Sequence, residues 1–460
     1  MTSSRRVRAQ RDSKAPARRR AGHAPVPLVV NTLSVLARVG LGFAVLLAFW
    51  GESLGSLEAR GGWLTLAGRL AALVGTYLML VMVILISRNP WLERSVGHDQ
   101  LVRWHRRIGG WPIGLIAAHV LLITWGYAQL TSATLVHQFW TFLMHYPDIL
   151  ESTVAFGLLV MAGVSSAPII RRRMKYESWW VVHLYMYVAL GLAFFHQIRI
   201  GVMFIGHPLF RALWIAIWVL AALSVVSFRI ALPVIRNLRH QLRVSSVSEE
   251  TPGVYSVVVT GRQIARLAVS GGQFFQWRFM TRELWWHAHP YSLSALPRAP
   301  FMRVTIKGLG DHSNAMAHLK PGTRVVAEGP YGTFTRHSLS AKRVLLVGAG
   351  VGVTPLRALL EDLPHSIHVT VIIRASQPEN VVHRQEIVDL VAKRRGNYHE
   401  LIGPREQVRF STKLLQGLVG DLRGVEVYVC GPEQFTEMVV TSARQLGAQP
   451  ERIHTEAFTF

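Results

Sequence analysis

The sequence predicts a membrane α-helical bundle of six transmembrane helices, followed by a cytoplasmic antiparallel β-barrel and an α/β nucleotide-binding domain. Apolar runs near the ~20 residues needed to span a bilayer are confined to the first half of the chain. Short alternating strands come next, and a strand, a glycine-rich turn and a helix follow them. The expected divisions are a disordered basic arm over 1–26, a transmembrane domain over 27–235, a barrel domain over 240–338 and an α/β domain over 341–460.

Charge and cysteine content narrow the functional classes. The formal net charge is +24, and eight of the basic residues lie within the first 20 positions. Others flank the apolar runs, and no basic and aromatic pattern of a nucleic-acid reader accompanies them. We therefore expect a lipid bilayer and no nucleic acid as partner. The arm lacks the apolar core of a cleaved signal peptide, and Cys430, the single cysteine, excludes an intrachain disulfide.

The charges between the apolar runs predict an orientation for the six spans. Basic residues concentrate in the arm, in loops 88–107 and 171–175, and after residue 229, whereas the intervening loops carry far fewer. By the positive-inside rule both termini lie in the cytoplasm, and the plasma membrane is the expected location. The expected spans are Pro27–Trp50, Trp63–Ile86, Trp111–Leu130, Ile149–Ile170, Trp180–Gln197 and Phe210–Ile230.

Four histidines match in depth along the third and fifth spans. His105 lies near the cytoplasmic surface and His119 about 21 Å further along, while His183 and His196 are separated by about 20 Å in the same direction. Facing imidazoles can supply both axial bonds of a haem iron, so two pairs predict two stacked haems. Rotation leaves His196 about 140° from His183, so a tilt or a bulge near Gly191 is expected. The alternative for any single histidine is a hydrogen-bonded interior residue.

Arg69 lies in the outer half of the second span, where an unpaired charge is costly. Two interpretations stay open. The side chain either extends toward the outer surface or pairs with an anionic group, such as a haem propionate or an anionic product.

Two strings in the barrel segment have residue types that suit a flavin nucleotide. HPYSLSALP, from His289 to Pro297, places an aromatic ring beside hydroxyls that can pack against a flavin and bond its edge. In GLGDHSNAM, Gly308 and Gly310 bring the backbone close, and Ser313 is expected to cap a helix starting at Asn314, whose free amides suit a pyrophosphate. Either string alone is more often an ordinary strand edge or turn. Because both lie on one barrel, we expect FAD there.

The glycine turn in VLLVGAGVGVTP predicts a phosphate-binding site at the ends of parallel strands. Gly348, Gly350 and Gly352 let the backbone approach a phosphate, and Pro355 suits the first helical turn. The spacing departs from the usual G-x-G-x-x-G pattern, because the third glycine comes one residue early.

Later residues of the α/β segment complete the expected nucleotide site. Arg374 and Ser376 stand where an acidic residue would hold an unmodified ribose, which favours NADPH over NADH; the alternative is a solvated strand end. Cys430 ends a strand at the same crevice, where a small side chain can border the nicotinamide, or it is a buried core thiol. Phe458 and Phe460 are expected to provide an aromatic cover for the flavin, and which of them does so stays open.

These strings resemble those of the ferric reductase and NADPH oxidase superfamily, in a bacterial NADPH-oxidase-like form, over about residues 30–460. HPYSLSALP is similar to its flavin motif, GAGVGVTP to its pyridine-nucleotide motif and VCGP to its nicotinamide motif. The resemblance implies a six-helix haem domain fused to a ferredoxin-reductase-type module, with FAD, NADPH and two b-type haems. It implies that His105 with His183 binds the inner haem, and His119 with His196 the outer haem, near Arg69.

The residue patterns and the resemblance together define the expected site. Catalytic roles are expected for Cys430, Arg69 and Phe460. Cofactor contacts are expected from His289, Pro290, Tyr291, Ser292, Lys307, Gly308, Ser313, Gly348, Gly350, Gly352, Thr354, Pro355, Arg374, Ser376, Cys430, Gly431, Pro432, Phe458 and Phe460.

The expected function is electron transfer from cytoplasmic NADPH through FAD and the two haems to an acceptor outside. Molecular oxygen, giving superoxide, is favoured as acceptor, in part because of Arg69. A ferric-chelate reductase with the same electron path is the first alternative. A non-catalytic haem-binding membrane scaffold is the second, although the glycine turn and the flavin string argue against it. The sequence leaves the oligomeric state open.

Overall fold

The computed structural model describes residues 26–50, 52–404 and 406–458. Six helical segments of this part are long and apolar enough to cross a membrane, which confirms the predicted bundle. The expected basic arm lies outside the described residues, apart from Val26. The helices are α1 (Val26–Phe49), α2 (Leu54–Glu58), α3 (Gly62–Leu85), α4 (Pro90–Val96), α5 (His98–Ile108), α6 (Gly110–Thr131), α7 (Leu135–His145), α8 (Ile149–Ser166), α9 (Pro168–Arg171), α10 (Tyr176–Ile200), α11 (Pro208–Val225) and α12 (Leu232–His240).

Small residues let the membrane helices approach one another closely. α3 packs along α6, and α10 packs along α8. A Cβ atom added at Gly68 would lie 2.8 Å from the Ile123 side chain, and one added at Gly75 would lie 3.1 Å from that of Leu115. Close helix contact of this kind stabilises bundles in lipid, where packing replaces the hydrophobic driving force.

The helices depart from regular geometry at places other than the predicted one. α10 is an uninterrupted α-helix through Gly191, so the expected bulge there is wrong. The interruptions occur instead at Gly109, between α5 and α6, and at a π-helical segment, Val226–Ala231, between α11 and α12. His105 and His119 therefore lie on two separate helices. For this reason a rotation counted along one ideal helix misjudges how the two histidine pairs meet.

The barrel domain consists of two antiparallel three-stranded sheets that share one core. The sheet orders are β1-β2-β5 and β4-β3-β6. Trp277, Phe275 and Leu293 are almost fully buried between them, because alternate residues of each strand face the same core. The elements are β1 (Arg243–Thr251), β2 (Val254–Thr260), β3 (Phe274–Phe279), β4 (His289–Ser292), β5 (Phe301–Lys307), α13 (Asp311–Asn314) and β6 (Val325–Tyr331).

The last domain is a parallel sheet with helices on both faces, as predicted. The strand order is β11-β10-β7-β8-β9. After β7, the chain adds β8 and β9 on one side of that strand and then returns to add β10 and β11 on the other. The carboxyl ends of β7 and β10 therefore meet at the switch point where such sheets bind nucleotides. The elements are β7 (Arg343–Ala349), α14 (Val353–Asp362), β8 (His368–Ala375), α15 (Arg384–Ala392), β9 (Asn397–Ile402), α16 (Thr412–Val419), β10 (Val425–Pro432), α17 (Glu433–Gln445) and β11 (Ile453–Phe458).

Helix α12 fastens the barrel to the bundle. Asn237 pairs with the backbone of Ala327 in β6: its Nδ2 donates to the carbonyl at 3.1 Å, and its Oδ1 accepts from the amide at 3.0 Å. Arg236 donates to the carbonyl of Gly329. At the end of β6, the Arg88 guanidinium lies 4.5 Å from the ring centroid of Tyr331. The loop between α3 and α4 and the helix after the last span thus hold the same strand.

Candidate functional site

A cavity of about 300 Å³ lies among α3, α6, α8 and α10, at the end of the bundle away from the barrel. His119, His196 and Arg69 line it, and the remaining lining is mostly apolar. Its volume reaches the range of about 300–1,000 Å³ that ligand pockets occupy. Phe142 of α7 and Phe204, in the turn before α11, contribute to the wall and are themselves buried. The cavity therefore brings together two of the predicted ligands and the predicted arginine.

The hydrogen bonds of His119 determine which ring nitrogen is available. Its Nδ1 lies 2.9 Å from the carbonyl oxygen of Gly68. A carbonyl can only accept, so Nδ1 carries the proton and the Nε2 lone pair is free for a metal. His196 has a buried Nδ1 that makes no hydrogen bond with the described residues. Both side chains thus keep a nitrogen for a group bound in the cavity.

The second pair of predicted histidine ligands, His105 and His183, lies near the barrel end of the bundle. The ring centroids of His105 and His183 are 6.1 Å apart, at an interplanar angle of 74°. Ser166 Oγ donates to the Ala162 carbonyl at 2.7 Å, so toward His183 Nδ1, 3.4 Å away, it can only accept. Trp179 stacks on the His183 ring at 5.1 Å and donates its Nε1 hydrogen to the same hydroxyl. These contacts fix the ring of His183 and direct its Nε2 away from Ser166.

Arg69 has a partner that the sequence analysis missed. Its guanidinium forms an ion pair with Glu52, in the short connection between α1 and α2. Neither side chain is more than a quarter exposed, at 24% and 11%. The charge is therefore compensated within the protein while Arg69 still lines the cavity. No local sequence signal marks Glu52, because it is 17 residues away in a different segment.

The first four residues of the predicted flavin string, His289–Ser292, form β4, which pairs with β3. Trp277 donates to the Tyr291 carbonyl at 3.0 Å, and burial raises the pKa of the Tyr291 phenol to about 12. Ser292 is buried, and its hydroxyl donates to Glu456 Oε1 at 3.3 Å. Glu456 lies beside Cys430 in the parallel pairing of β11 with β10. The structure thus brings together the hydroxyl of Ser292, the carboxylate of Glu456 and the thiol of Cys430, from three strands. Glu456 is not among the residues that the sequence predicts for the site.

His289 belongs to a cluster of three histidines at the face of the barrel toward the bundle. Its ring centroid lies 6.1 Å from that of His287 and 5.7 Å from that of His312, and His287 and His312 are 3.8 Å apart. Burial, and then the charges of His312 and His287, lower the pKa of His289 to about 4. His289 is therefore neutral at neutral pH. His287 Nδ1 lies 3.5 Å from the carboxylate of Glu177, at the start of α10.

The predicted helix cap at Ser313 is corrected by the structure. The short helix α13 begins at Asp311, so Ser313 lies inside it rather than before it. Its hydroxyl accepts from the amides of Leu309 and Gly310, at 2.8 and 3.0 Å. These two amides precede the helix, so Ser313 closes the turn that leads into α13. Lys307 ends β5 with an exposed side chain.

Gly308 follows Lys307 at a place where a side chain would not fit. Its amide donates to the Gly253 carbonyl at 2.9 Å. An added Cβ atom would lie 2.2 Å from Asn314 Oδ1. Gly308 therefore leaves room for the Asn314 side chain, and its contact with a flavin nucleotide stays a prediction.

The glycine turn lies at the carboxyl end of β7. Gly350 has φ +56°, which favours glycine, and an added Cβ would meet nothing within 4 Å. At Gly352 a Cβ would lie 2.3 Å from the Cys430 carbonyl, so the turn packs directly on β10. Thr354 is buried and donates to the Val351 carbonyl at 2.8 Å. The open side of the turn at Gly350 is therefore the part that can face a phosphate.

Two further residues of the turn are internal to the fold. Gly348 lies within β7, between Cys430 of β10 and Ile373 of β8. Pro355 is buried in the first turn of α14. Their positions suit close packing of strand and helix at the switch point.

Arg374 is engaged by the protein itself. It is buried and donates to the carbonyls of Ala375, Leu401 and Gly403, the last two at 3.1 and 2.7 Å. These hydrogen bonds connect β8 to the end of β9. Arg374 would have to give up some of them in order to contact a 2′-phosphate. Ser376, in contrast, is exposed beyond the strand end. The preference for NADPH stays a prediction.

The remaining predicted residues lie at β10 and β11. Cys430 is fully buried in the core of the α/β domain, and burial, followed by the charge of Glu456, raises the pKa of its thiol. This position agrees with the alternative of a core thiol. Gly431 and Pro432 continue β10, and Pro432 pairs with Phe458 of β11. Phe460 lies outside the described residues.

Two family models match this chain. A ferric reductase like transmembrane component matches residues 71–194, and an oxidoreductase NAD-binding domain matches residues 346–441. The chain has the architecture of the fused ferric reductase and NADPH oxidase superfamily. The first half of the chain is thus similar to a ferric reductase like transmembrane component, and its described residues include six helices long and apolar enough to cross a membrane. The last domain is similar to an oxidoreductase NAD-binding domain.

Individual relatives are more distant and match in part. The glycine betaine monooxygenase reductase subunit of Pseudomonas aeruginosa is 25% identical over 244 residues, which cover 48% of this chain and 65% of that protein. The NADPH oxidoreductase of Mycobacterium tuberculosis is 27% identical over 183 residues, covering 38% and 48%. The chain thus spans less than two thirds of each of these proteins. The FAD/NAD-binding domain of nitric oxide dioxygenase from Vibrio cholerae is 22% identical, covering 47% of this chain and 98% of that one, with a TM-score of 0.41.

Proposed function

We propose that the protein moves electrons from cytoplasmic NADPH, through FAD and two b-type haems, to molecular oxygen on the far side of the membrane. The observation that carries this proposal is the pairing of four histidines at two depths of the bundle. His105 and His183 face each other near the barrel, and His119 and His196 line one cavity further away. A flavin motif and a nucleotide turn lie on the barrel side, so donor and acceptor are separated by the bundle.

The histidine pairs fit the axial ligands of haem. A ring separation of 6.1 Å for His105 and His183 leaves room for one metal ion between two nitrogens, since metal–nitrogen bonds measure about 2 Å. Hydrogen bonds at Nδ1 of His119 and His183 leave Nε2 as the coordinating atom, which is the usual arrangement for histidine ligands.

The cofactors supply the redox chemistry, and the chain supplies the positions. When bound, FAD accepts two electrons as a hydride and passes them on singly, and haem iron carries one electron at a time. Ser292 and Glu456 form a hydrogen-bonded pair at the flavin motif, where they can hold a proton beside the flavin edge. The flavin barrel contacts α10 through His287 and Glu177, only two turns of helix before His183. Donor and first haem site are therefore close neighbours.

The shape of the outer cavity favours a small acceptor. α7 and the turn Val202–Phe204 extend along its wall, and most of its lining is apolar. A haem held by His119 and His196 would fill much of the space, so what remains suits oxygen better than a bulky, charged ferric chelate. The Arg69–Glu52 pair adds little net charge, which also disfavours an anionic chelate.

The test begins with the purified protein reconstituted in lipid. We expect b-type haem bands in the dithionite-reduced spectrum, two haems per chain, and reduction of these bands by NADPH under anaerobic conditions. His119→Ala and His105→Ala are each expected to remove about half of the haem. His145→Ala is the matched control, because this exposed histidine of α7 bonds only to the Thr141 carbonyl among the described residues. A protein without b-type bands would refute the proposal.

A second experiment separates the two acceptors. Admitting oxygen to the reduced protein is expected to reoxidise the haems and produce superoxide, measured as dye reduction that superoxide dismutase abolishes. Ferrozine-detected Fe(II) from a ferric chelate under anaerobic conditions is expected to form much more slowly. If the chelate is reduced as fast as oxygen, the ferric-reductase alternative holds instead.

A further inference from the structure

A rigid turn on the flavin barrel presents two adjacent tryptophans. The turn runs from Thr281 to His287, before the flavin motif. The Leu284 amide donates to Thr281 Oγ1 at 3.2 Å, and the Trp285 amide to the Thr281 carbonyl at 3.1 Å. Leu284 itself is buried in the barrel core, with 2% of its surface exposed. Because these hydrogen bonds and the buried Leu284 attach the turn to the barrel, the fold determines the orientation of Trp285 and Trp286.

The two rings are exposed despite their size. Trp285 is 51% exposed, Trp286 44%, and the neighbouring Met280 41%. The tryptophan ring centroids are 5.3 Å apart, at an angle of 73°, so they form one surface. Tryptophan is large and amphipathic, and it is enriched where one side is apolar and the other is hydrated. In water, such a patch would leave apolar area unburied.

The tryptophan turn lies level with the end of a membrane span. The ring of Trp286 is 5.9 Å from that of Trp180, close to the start of α10. Basic residues at 171–173 and 175 occupy the same end of the bundle, where cations flank a span on the cytoplasmic side. The tryptophans of the barrel therefore lie at the same level as a tryptophan at the end of the span.

We infer that the turn 281–287 inserts its tryptophans into the headgroup region of the bilayer, so that the lipid surface docks the flavin barrel in addition to its contacts with the bundle. The inference does not depend on haem binding. Arg282 and Glu283 in the same turn are both exposed and of opposite charge. The contact therefore depends on the aromatic side chains and not on anionic lipid, and it is expected in zwitterionic membranes as well.

The single cysteine makes a direct test possible. Cys430 is buried, and its raised pKa disfavours the reactive thiolate, so a cysteine placed at the turn is the thiol that labels. Trp285→Cys and Met280→Cys are each labelled with an environment-sensitive fluorophore in the full-length protein. The matched control is Met438→Cys, an exposed position on α17 of the nucleotide domain with 47% exposure. Using one position in the turn and one directly before it guards against one variant failing to fold.

The labelled proteins are placed in phosphatidylcholine nanodiscs with and without a nitroxide-bearing headgroup. We expect about twofold or greater quenching at 285 and 280, because the labels then lie among the headgroups, and almost none at 438. Equal, weak quenching at all three positions would overturn the inference. A second outcome would also overturn it: the fluorescence of the label at 285 shifts to the blue as the protein concentration in detergent rises, yet the label is not quenched in nanodiscs. A second copy of the chain, and not lipid, would then cover the turn.

Discussion

Asn237 is expected to control how firmly the flavin barrel is held to the last membrane helix. Its side-chain amide makes both hydrogen bonds of the Ala327 backbone that face α12, at 3.1 and 3.0 Å. β6 is an edge strand of its sheet, paired on its other side with β3. Asn237 therefore completes the strand edge as a neighbouring strand would. Asn237→Ala removes both partners at once.

The expected loss of free energy in Asn237→Ala follows from these two hydrogen bonds. Each backbone hydrogen bond contributes a net stabilisation of about 1 kcal/mol, so the loss is about 2 kcal/mol, or roughly 30-fold in the opening equilibrium of β6. Ala327 is only 7% exposed, so water replaces the lost partner poorly and the effect is expected to reach at least this value. The substitution leaves the nucleotide turn and the flavin motif untouched.

Hydrogen–deuterium exchange of the peptide covering Val325–Tyr331 is the assay. We expect Asn237→Ala to speed its exchange by roughly 30-fold, with β7 and β10 unchanged and with flavin bleaching by NADPH at the wild-type rate. Asn397→Ala, at the exposed start of β9, is the matched control and is expected to leave β6 protected. Unchanged protection of β6 in Asn237→Ala would show that the barrel is held by other contacts and that our reasoning is wrong.

Three further substitutions test the site. Ser166→Ala removes the acceptor of His183 Nδ1–H, so the imidazole donates less charge to the iron. We expect the midpoint potential of the inner haem to rise in potentiometric titration, and Ser166→Thr to restore it. Arg69→Gln breaks the ion pair at the outer cavity, and we expect slower reoxidation by oxygen in stopped-flow traces with haem reduction by NADPH unchanged. Ser292→Ala removes the bond to Glu456 and is expected to slow flavin reduction about tenfold, the equivalent of about 1.4 kcal/mol, with little change in the apparent Kd for NADPH.

The features that sequence could predict depend on local periodicity or on chemistry at adjacent positions. Six apolar runs gave six membrane segments, because hydropathy over about 20 residues decides membrane insertion. The histidines were matched by depth from helical rise alone, and the structure brings His105 to His183. The glycine turn was found because a strand, a turn and a helix adjoin in sequence, and it lies at the predicted switch point.

The features that sequence missed depend on contacts between distant segments. Glu52 and Glu456 meet Arg69 and Ser292 only after the chain has folded, so neither carboxylate has a local signal. The place of Arg374 at a strand end predicts contact with a phosphate, but the same position puts the carbonyls of Ala375, Leu401 and Gly403 within its reach. The expectation of a bulge near Gly191 followed from treating the third span as one helix, whereas the structure divides that span at Gly109 into α5 and α6.

The contacts between bundle and barrel bear on how electrons would reach the inner haem that we propose at His105 and His183. α12 holds β6 through Asn237, the Arg88 loop holds the Tyr331 end of the same strand, and the His287 turn meets Glu177 on α10. These attachments come from three separate parts of the bundle, so together they restrict rotation as well as separation of the barrel. Electron transfer between fixed neighbours needs no docking step before each turnover. We therefore expect the rate of haem reduction to follow flavin reduction and to depend little on solvent viscosity, which distinguishes this arrangement from a reductase domain that swings on its linker.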